Sequence, residues 1–120
     1  LVPRIILVRE EHSPRTLVER VDFVSAPGTS PPGGQRQGGP VALLTDRCLF
    51  GFADGRFRLA SVHPGHDEAA IKAATGFAFA TERPLRTTPA AAPETAALLR
   101  GPVRDALADA YPRFAATLAW

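Results

Sequence analysis

Methionine is absent from the 120 residues, and cysteine, tryptophan and tyrosine occur once each. With no initiator methionine, the chain is expected to be a fragment, a processed product or a trimmed piece of a longer protein. Leu1-Val-Pro-Arg4 has the form of a protease-site tag, but the Ile5-Ile-Leu-Val8 that follows reads as a strand, so the segment is taken as native. The lone Cys48 excludes an internal disulfide and agrees with a reducing compartment. Because it opens an apolar strand, it is read as a buried structural thiol rather than a nucleophile. No apolar run is long enough to span a bilayer and no signal peptide is visible, so a cytoplasmic protein without a membrane partner is expected. The net charge is only +2, with Lys72 as the one lysine and the arginines scattered. Nucleic-acid binding calls for a basic stripe interleaved with aromatic platforms, and none is present. The charge remains compatible with a small anionic ligand.

What is present is concentrated in residues 40–77. Asp54-Gly55 is a strong hairpin signal, because a type I′ turn needs positive φ at both central residues and matches strand twist. A two-residue turn there also sets the register: Ala53 opposite Arg56, Phe52 opposite Phe57 and Phe50 opposite Leu59, with Phe52 and Phe57 on the buried face. The second strand runs into Val62-His63-Pro64-Gly65, where Pro removes a ladder donor and Gly permits a turn. Asp67 then stands as N-cap of a short helix that buries Ile71 and Ala74. Gly76 is expected at the left-handed C′ position, with Phe77 re-entering the core.

Ile5 to Val8 and Val41 to Leu44 are continuous apolar runs, the pattern of strands covered on both faces, and are expected at the sheet centre. Between them, Thr16 to Val24 has a mixed period compatible with a helical turn entering a strand. Residues 25–40, rich in Gly, Pro, Ser and Gln, read as a mobile loop. Gly33-Gly34 and Gly38-Gly39 offer a phosphate cradle as the alternative, but such cradles feed a helix N-terminus and Pro40 feeds a strand. Residues 81–92 read as another loop. Pro93-Glu94 starts a helix, Gly101-Pro102 ends it and starts the next, and Pro112 breaks that one near Tyr111. Val103, Leu107, Ala110, Phe114 and Leu118 form an apolar face that needs a partner surface, and Trp120 is an odd solvent-exposed end. The expected organisation is residues 1–80 as one domain part and residues 81–120 as linker and helical tail.

The ordered series Thr45-Asp46, Leu49-Phe-Gly-Phe52, a charged hairpin, Ser61-Val-His-Pro-Gly65, a capped helix and Ala74-Thr-Gly-Phe77 resembles the C-terminal part of family I CoA-transferase β subunits. The subgroup is that of glutaconate CoA-transferase and the related CoA-ester hydrolases of ring degradation. The resemblance extends upstream through Arg4-Ile-Ile-Leu-Val-Arg9, Glu11-His-Ser13, Arg15 to Phe23 and Ser25-Ala-Pro-Gly28. It implies an α/β fold, part of an open, mostly parallel sheet of the NagB/RpiA/CoA-transferase-like type, with a β-hairpin, a short helix and C-terminal helices. It also implies an α-subunit partner, acyl-CoA and carboxylate substrates, and coenzyme A as a substrate with no permanently bound cofactor. In the family, a glutamate attacks the acyl-CoA and carries CoA as a thioester. That glutamate and its glycine-rich surroundings lie N-terminal to the part resembled here.

None of Glu10, Glu11, Glu19, Glu68, Glu82 or Glu94 matches the family's motif, so no catalytic residue is assigned. His12, Ser13 and Arg15 follow the first strand, where ligands gather in open α/β sheets, and are the candidates for CoA contact. His12 with Ser13 as a nucleophile pair lacks an orienting acid, so ordinary loop hydrogen bonding is preferred. His63, His66 and Asp67 bring two imidazoles and a carboxylate close together, but Asp67 is better used as the cap and no third ligand has recognisable spacing, so no metal site is expected. The function expected is a CoA-transferase β-subunit fragment. The alternatives are a CoA-ester hydrolase of the same fold and a non-catalytic remnant acting as an interaction module.

Overall fold

The computed structural model describes residues 3–30, 32–33 and 38–119. Leu1, Val2, Pro31, Gly34, Gln35, Arg36, Gln37 and Trp120 lie outside the described residues, and with them the end segments and part of the cradle; Gly39 and Pro40, expected in a loop over 25–40, open the strand Gly39–Thr45 instead. The chain divides into two units, Leu1–Thr88 and Pro89–Trp120. The first is an open sheet in chain order, made of β1 (Arg4–Arg9), β2 (Gly39–Thr45), β3 (Cys48–Ala53), β4 (Arg56–Val62) and β5 (Ala80–Thr87), with α1 (Glu68–Ala74) between the last two. β1 pairs with β2 and β4 with β5 in parallel, while β3 is antiparallel to both its neighbours. Four of the five strands therefore run the same way and β3 alone is reversed.

The turn decides the hairpin. Asp54 and Gly55 take φ of 52° and 71°, and the pairs Ala53–Arg56, Phe52–Phe57 and Phe50–Leu59 form as the two-residue turn requires. Phe52 and Phe57 rings meet at 4.8 Å between centroids, tilted by 54°, on the same side. That side is the core face, where Phe50, Leu59, Ile71 and Cys48 have no exposure and Leu17, Leu43 and Val62 pack beside them. Helix α1 covers this face through Ile71 and Ala74. Its N-terminus is held by Asp67, whose Oδ1 accepts the Ala70 N–H at 2.8 Å. Replacing Asp67 with Ala removes that acceptor and should lower stability by about 1 kcal/mol. A lower urea midpoint at unchanged slope is the expected result, and an unshifted midpoint would refute the capping role.

Several expectations change. β1 is an edge strand, not a central one, and Ile6 and Val8 are 63% and 69% exposed on the face opposite the core. An apolar run reports the wish for two covered faces; among the described residues only one face of β1 and β2 meets the core. Thr16 to Val24 forms no regular element; a turn closed by Thr16 and Leu17 N–H groups on the Ser13 carbonyl buries Leu17 alone, and Phe23 is 81% exposed. Residues 81–87, read as loop, are strand β5, which carries the first unit to Thr88. Its charges and Pro84 hide it, and both are tolerated because β5 is an edge. Gly76 is not left-handed: the cap Thr75 is extended (φ −112°, ψ 122°), and Gly76 instead donates its N–H to the Leu17 carbonyl at 2.6 Å.

The second unit is short helices: α2 (Pro93–Leu98), a kinked segment Leu99–Val103 with non-helical Gly101, α3 (Arg104–Ala110) and α4 (Pro112–Ala115). Pro93 occupies the first turn of α2, and Tyr111 breaks the run between α3 and α4 with ψ of 64°. Of the expected apolar face, Leu107 and Leu118 are half-buried while Val103, Ala110 and Phe114 are exposed.

Candidate functional site

Because β1, β2, β4 and β5 run the same way, their C-terminal ends meet at one edge of the sheet. Residues 10–17 leave β1 there, Asp46 follows β2, His63 follows β4 and Thr88 follows β5. β3 runs the other way, so its first residue, Cys48, arrives at the same edge. A shallow depression lined by Val8, Arg9, Glu10 and Glu11 lies at the end of β1.

Thr45 organises this edge. Its hydroxyl accepts the backbone N–H groups of Arg47 and Cys48, each at 3.1 Å, which closes the tight β2–β3 turn. It also meets Nδ1 of His12 at 2.8 Å, and its carbonyl accepts Nε2–H of His63 at 3.0 Å. The other nitrogen of each ring is engaged too: His12 Nε2 with Thr75 Oγ1 and His63 Nδ1 with Thr88 Oγ1, both at 2.8 Å. Thr88 Oγ1 continues to Ser61 Oγ at 2.7 Å. One chain of hydrogen bonds thus ties together the ends of β1, β2, β4, β5 and α1.

The sequence candidates occupy different environments within this edge. His12 is 1% exposed, its ring 6.0 Å from that of Phe50, and its backbone N–H is accepted by the Asp46 carboxylate at 3.1 Å. Burial pushes its pKa below the ordinary histidine value; Arg47 and His66 add to that and Asp46 opposes it. Ser13 and Arg15 do not join the His12 ring. Ser13 Oγ donates to Glu11 Oε1 at 2.7 Å and Arg15 to Glu11 Oε2 at 2.6 Å. The Ser13 bond first, and Arg15 with it, hold the Glu11 carboxyl below its usual range. His12 and Ser13 are therefore no nucleophile pair, and loop hydrogen bonding is what this segment does. Cys48 has no exposure, and burial pushes its thiol up to about 11, so it carries no thiolate near neutral pH.

Thr45, Thr75, Thr88 and Ser61 were not among the sequence candidates, and His63 was weighed only as a metal ligand. The partners that join them across the sheet edge lie 18 to 63 residues away in the chain, so no local spacing marks them. Thr45, Ser61, His63 and Thr75 all lie in the ordered series that carries the resemblance, and Thr45 also ends an apolar run just before a turn; Thr88 alone has no such signal.

Solved structures share the fold that builds this edge. One described as the decarboxylase AibA/AibB is 32% identical, with a TM-score of 0.66 over 81% of this chain and 37% of that one. Glutaconate coenzyme A-transferase from Acidaminococcus fermentans is 25% identical, with a TM-score of 0.66 over 80% of this chain and 40% of that one. The chain has the CoA-transferase-like α/β fold that these structures share. IpdAB from Rhodococcus jostii RHA1, at 24% identity and a TM-score of 0.72 over 82% of this chain and 42% of that one, shares the fold. No family model and no curated protein sequence matches the chain. The chain spans well under half the length of the structures it resembles. The open α/β sheet expected from the sequence is the one those structures share.

Among the described residues, no helix is long and apolar enough to cross a membrane.

Proposed function

We propose that this chain is part of a CoA-transferase β subunit, which in its complete form moves CoA between an acyl-CoA and a carboxylic acid with an α subunit as partner. The observation that carries the reading is the likeness to glutaconate coenzyme A-transferase, a TM-score of 0.66 at 25% identity over 80% of the chain, with AibA/AibB matching nearly the same span. The chain's contribution is the C-terminal edge of the sheet. Ser13 and Arg15 lie on its accessible side and are the CoA contacts we favour, Arg15 as a cation toward phosphate and Ser13 as a hydrogen-bond partner. His12 supports them from below. Coenzyme A enters as a substrate, and a cytoplasmic location fits the single unpaired thiol.

The covalent step belongs to residues outside this chain. A nucleophilic carboxylate must be free to attack and must sit beside oxyanion donors. Glu11 is engaged by Ser13 and Arg15, and Glu68 by Thr81 at 2.6 Å and Arg83 at 2.9 Å. The Thr81 bond foremost, then Arg83, keep the Glu68 carboxyl below its usual range, as a committed anion. Decarboxylation is a second reading, favoured by the higher identity to AibA/AibB than to the glutaconate enzyme. Hydrolysis of a CoA ester on the same fold is a third, and a non-catalytic interaction module a fourth.

The test is incubation with a panel of acyl-CoA donors and carboxylate acceptors, followed by hydroxylamine or borohydride trapping. The isolated chain should give no exchange, no hydrolysis and no adduct above background, and a complete subunit with its partner should give all the activity. A trapped thioester on one of the chain's glutamates would overturn the assignment. Release of carbon dioxide from a carboxylated acyl-CoA by the complete enzyme, without exchange, would select the second reading.

A further inference from the structure

The buried His12 and the half-buried His63 at the sheet edge are joined through a single residue, and the direction of each hydrogen bond can be followed. Thr75 Oγ1 donates to the Ile71 carbonyl at 2.7 Å, so toward His12 it accepts, and Nε2 of His12 carries the ring proton. Nδ1 of His12 then accepts the Thr45 hydroxyl, whose own acceptor capacity is filled by the Arg47 and Cys48 N–H groups. His63 carries its proton on Nε2, toward the Thr45 carbonyl, and turns Nδ1 to Thr88. Every donor in this chain meets an acceptor only while His12 is neutral.

We infer that His12, Thr45 and His63 form an acid-sensitive latch on the C-terminal edge of the sheet. A second proton on His12 has to sit on Nδ1, where it points at a hydroxyl oxygen that already accepts two N–H groups. Thr45 can turn its own proton to the Cys48 carbonyl at 3.3 Å, a longer bond, but the new N–H still competes with those of Arg47 and Cys48 for one oxygen. The β2–β3 turn loosens as a result. Because Thr45 also holds His63, the disturbance reaches the β4 and β5 ends. Because His12 also holds Thr75, it reaches the end of α1 and the segment that carries Ser13 and Arg15.

The groups facing His12 from each packed element allow this. From the β2–β3 turn, Asp46 favours the proton and Arg47 opposes it; from the loop before α1, His66 opposes it. From β3, Cys48 is a neutral thiol 3.7 Å from Nδ1, and Phe50 is apolar. From α1 the contact is the uncharged Thr75, and on the segment of His12 itself Glu11 is turned to Ser13 and Arg15. The closed latch holds His12 neutral, whereas an opened one lets it titrate at its ordinary value near 6.5. The stability of the closed state is thus fully present above that value and is lost as pH falls below it. For a group that stays neutral when closed, the opening equilibrium rises by up to about thirtyfold at about pH 5.

The measurement is residue-resolved amide hydrogen exchange of the full chain at about pH 7.5 and about pH 5, corrected for the intrinsic rate. The amides of Arg47, Cys48 and Gly76 should open more at the lower pH while the β3–β4 ladder keeps its protection. His12→Asn, which cannot titrate, should remove the difference. Persistence of the pH effect in His12→Asn, or an equal loss of protection in the β3–β4 ladder, would overturn the latch. Should His12→Asn fail to fold, titration of the His12 ring by NMR in the unaltered protein decides. A midpoint below the ordinary histidine value supports the latch, and one at or above that value overturns it.

Discussion

Phe50→Ala should remove about 3–5 kcal/mol of stability, enough to unfold a domain of ordinary marginal stability under mild conditions. Phe50 has no exposure and sits where four rings converge, with centroids 5.0 Å away at Phe79, 5.8 Å at Phe77, and 6.0 Å at both Phe57 and His12. Such tilted and edge-on contacts add to the burial term. Its paired neighbours, Leu43 on β2 and Leu59 on β4, are fixed by the sheet ladder and cannot move into the space it leaves. The cavity therefore stays largely open, which places the substitution at the costly end for its type. Urea unfolding monitored by circular dichroism measures it. A loss below about 1 kcal/mol would mean that the surrounding elements collapse freely and that this cluster is not the centre of the core.

The same cluster shows what the sequence makes legible. The Asp54-Gly55 turn, the Phe52–Phe57 register, the Asp67 cap and the break at Tyr111 each rest on neighbours in the chain, and all four form as read. β5 was missed because its identity as a strand comes from a parallel partner, β4, more than twenty positions away at Leu59–Thr81, and not from its own composition. The position of β1 was misread for the opposite reason. Its run of Ile5 to Val8 encodes two covered faces, and among the described residues no element covers the outer one. At the candidate site, His12 was legible as a polar residue beyond a strand end. Its fate as a buried, doubly bonded ring was not, because Thr45 and Thr75 reach it from 33 and 63 residues away.

Gly76→Ala should cost about 1–3 kcal/mol, through contact and not through backbone strain. A Cβ at this position would lie 2.5 Å from the Leu17 carbonyl oxygen, 3.1 Å from Val18 Cα and 3.2 Å from Glu19 N. All three are backbone atoms, so no side chain can swing aside. The turn after β1 would have to retreat, losing the 2.6 Å bond from Gly76 N–H to Leu17 and drawing the buried Leu17 out of the core. Gly55 makes the contrast: it has φ of +71° and nothing within 4 Å of a Cβ, so there a substitution meets only the penalty of a left-handed backbone. Asparagine separates the two causes, since it tolerates the left-handed region but is larger than alanine. At position 55 Asn should be milder than Ala, whereas at position 76 it should be at least as damaging. If Gly76→Asn instead proved milder than Gly76→Ala in denaturation midpoint, the left-handed reading of that glycine would return and the close approach of α1 to the Leu17 turn would have to be given up.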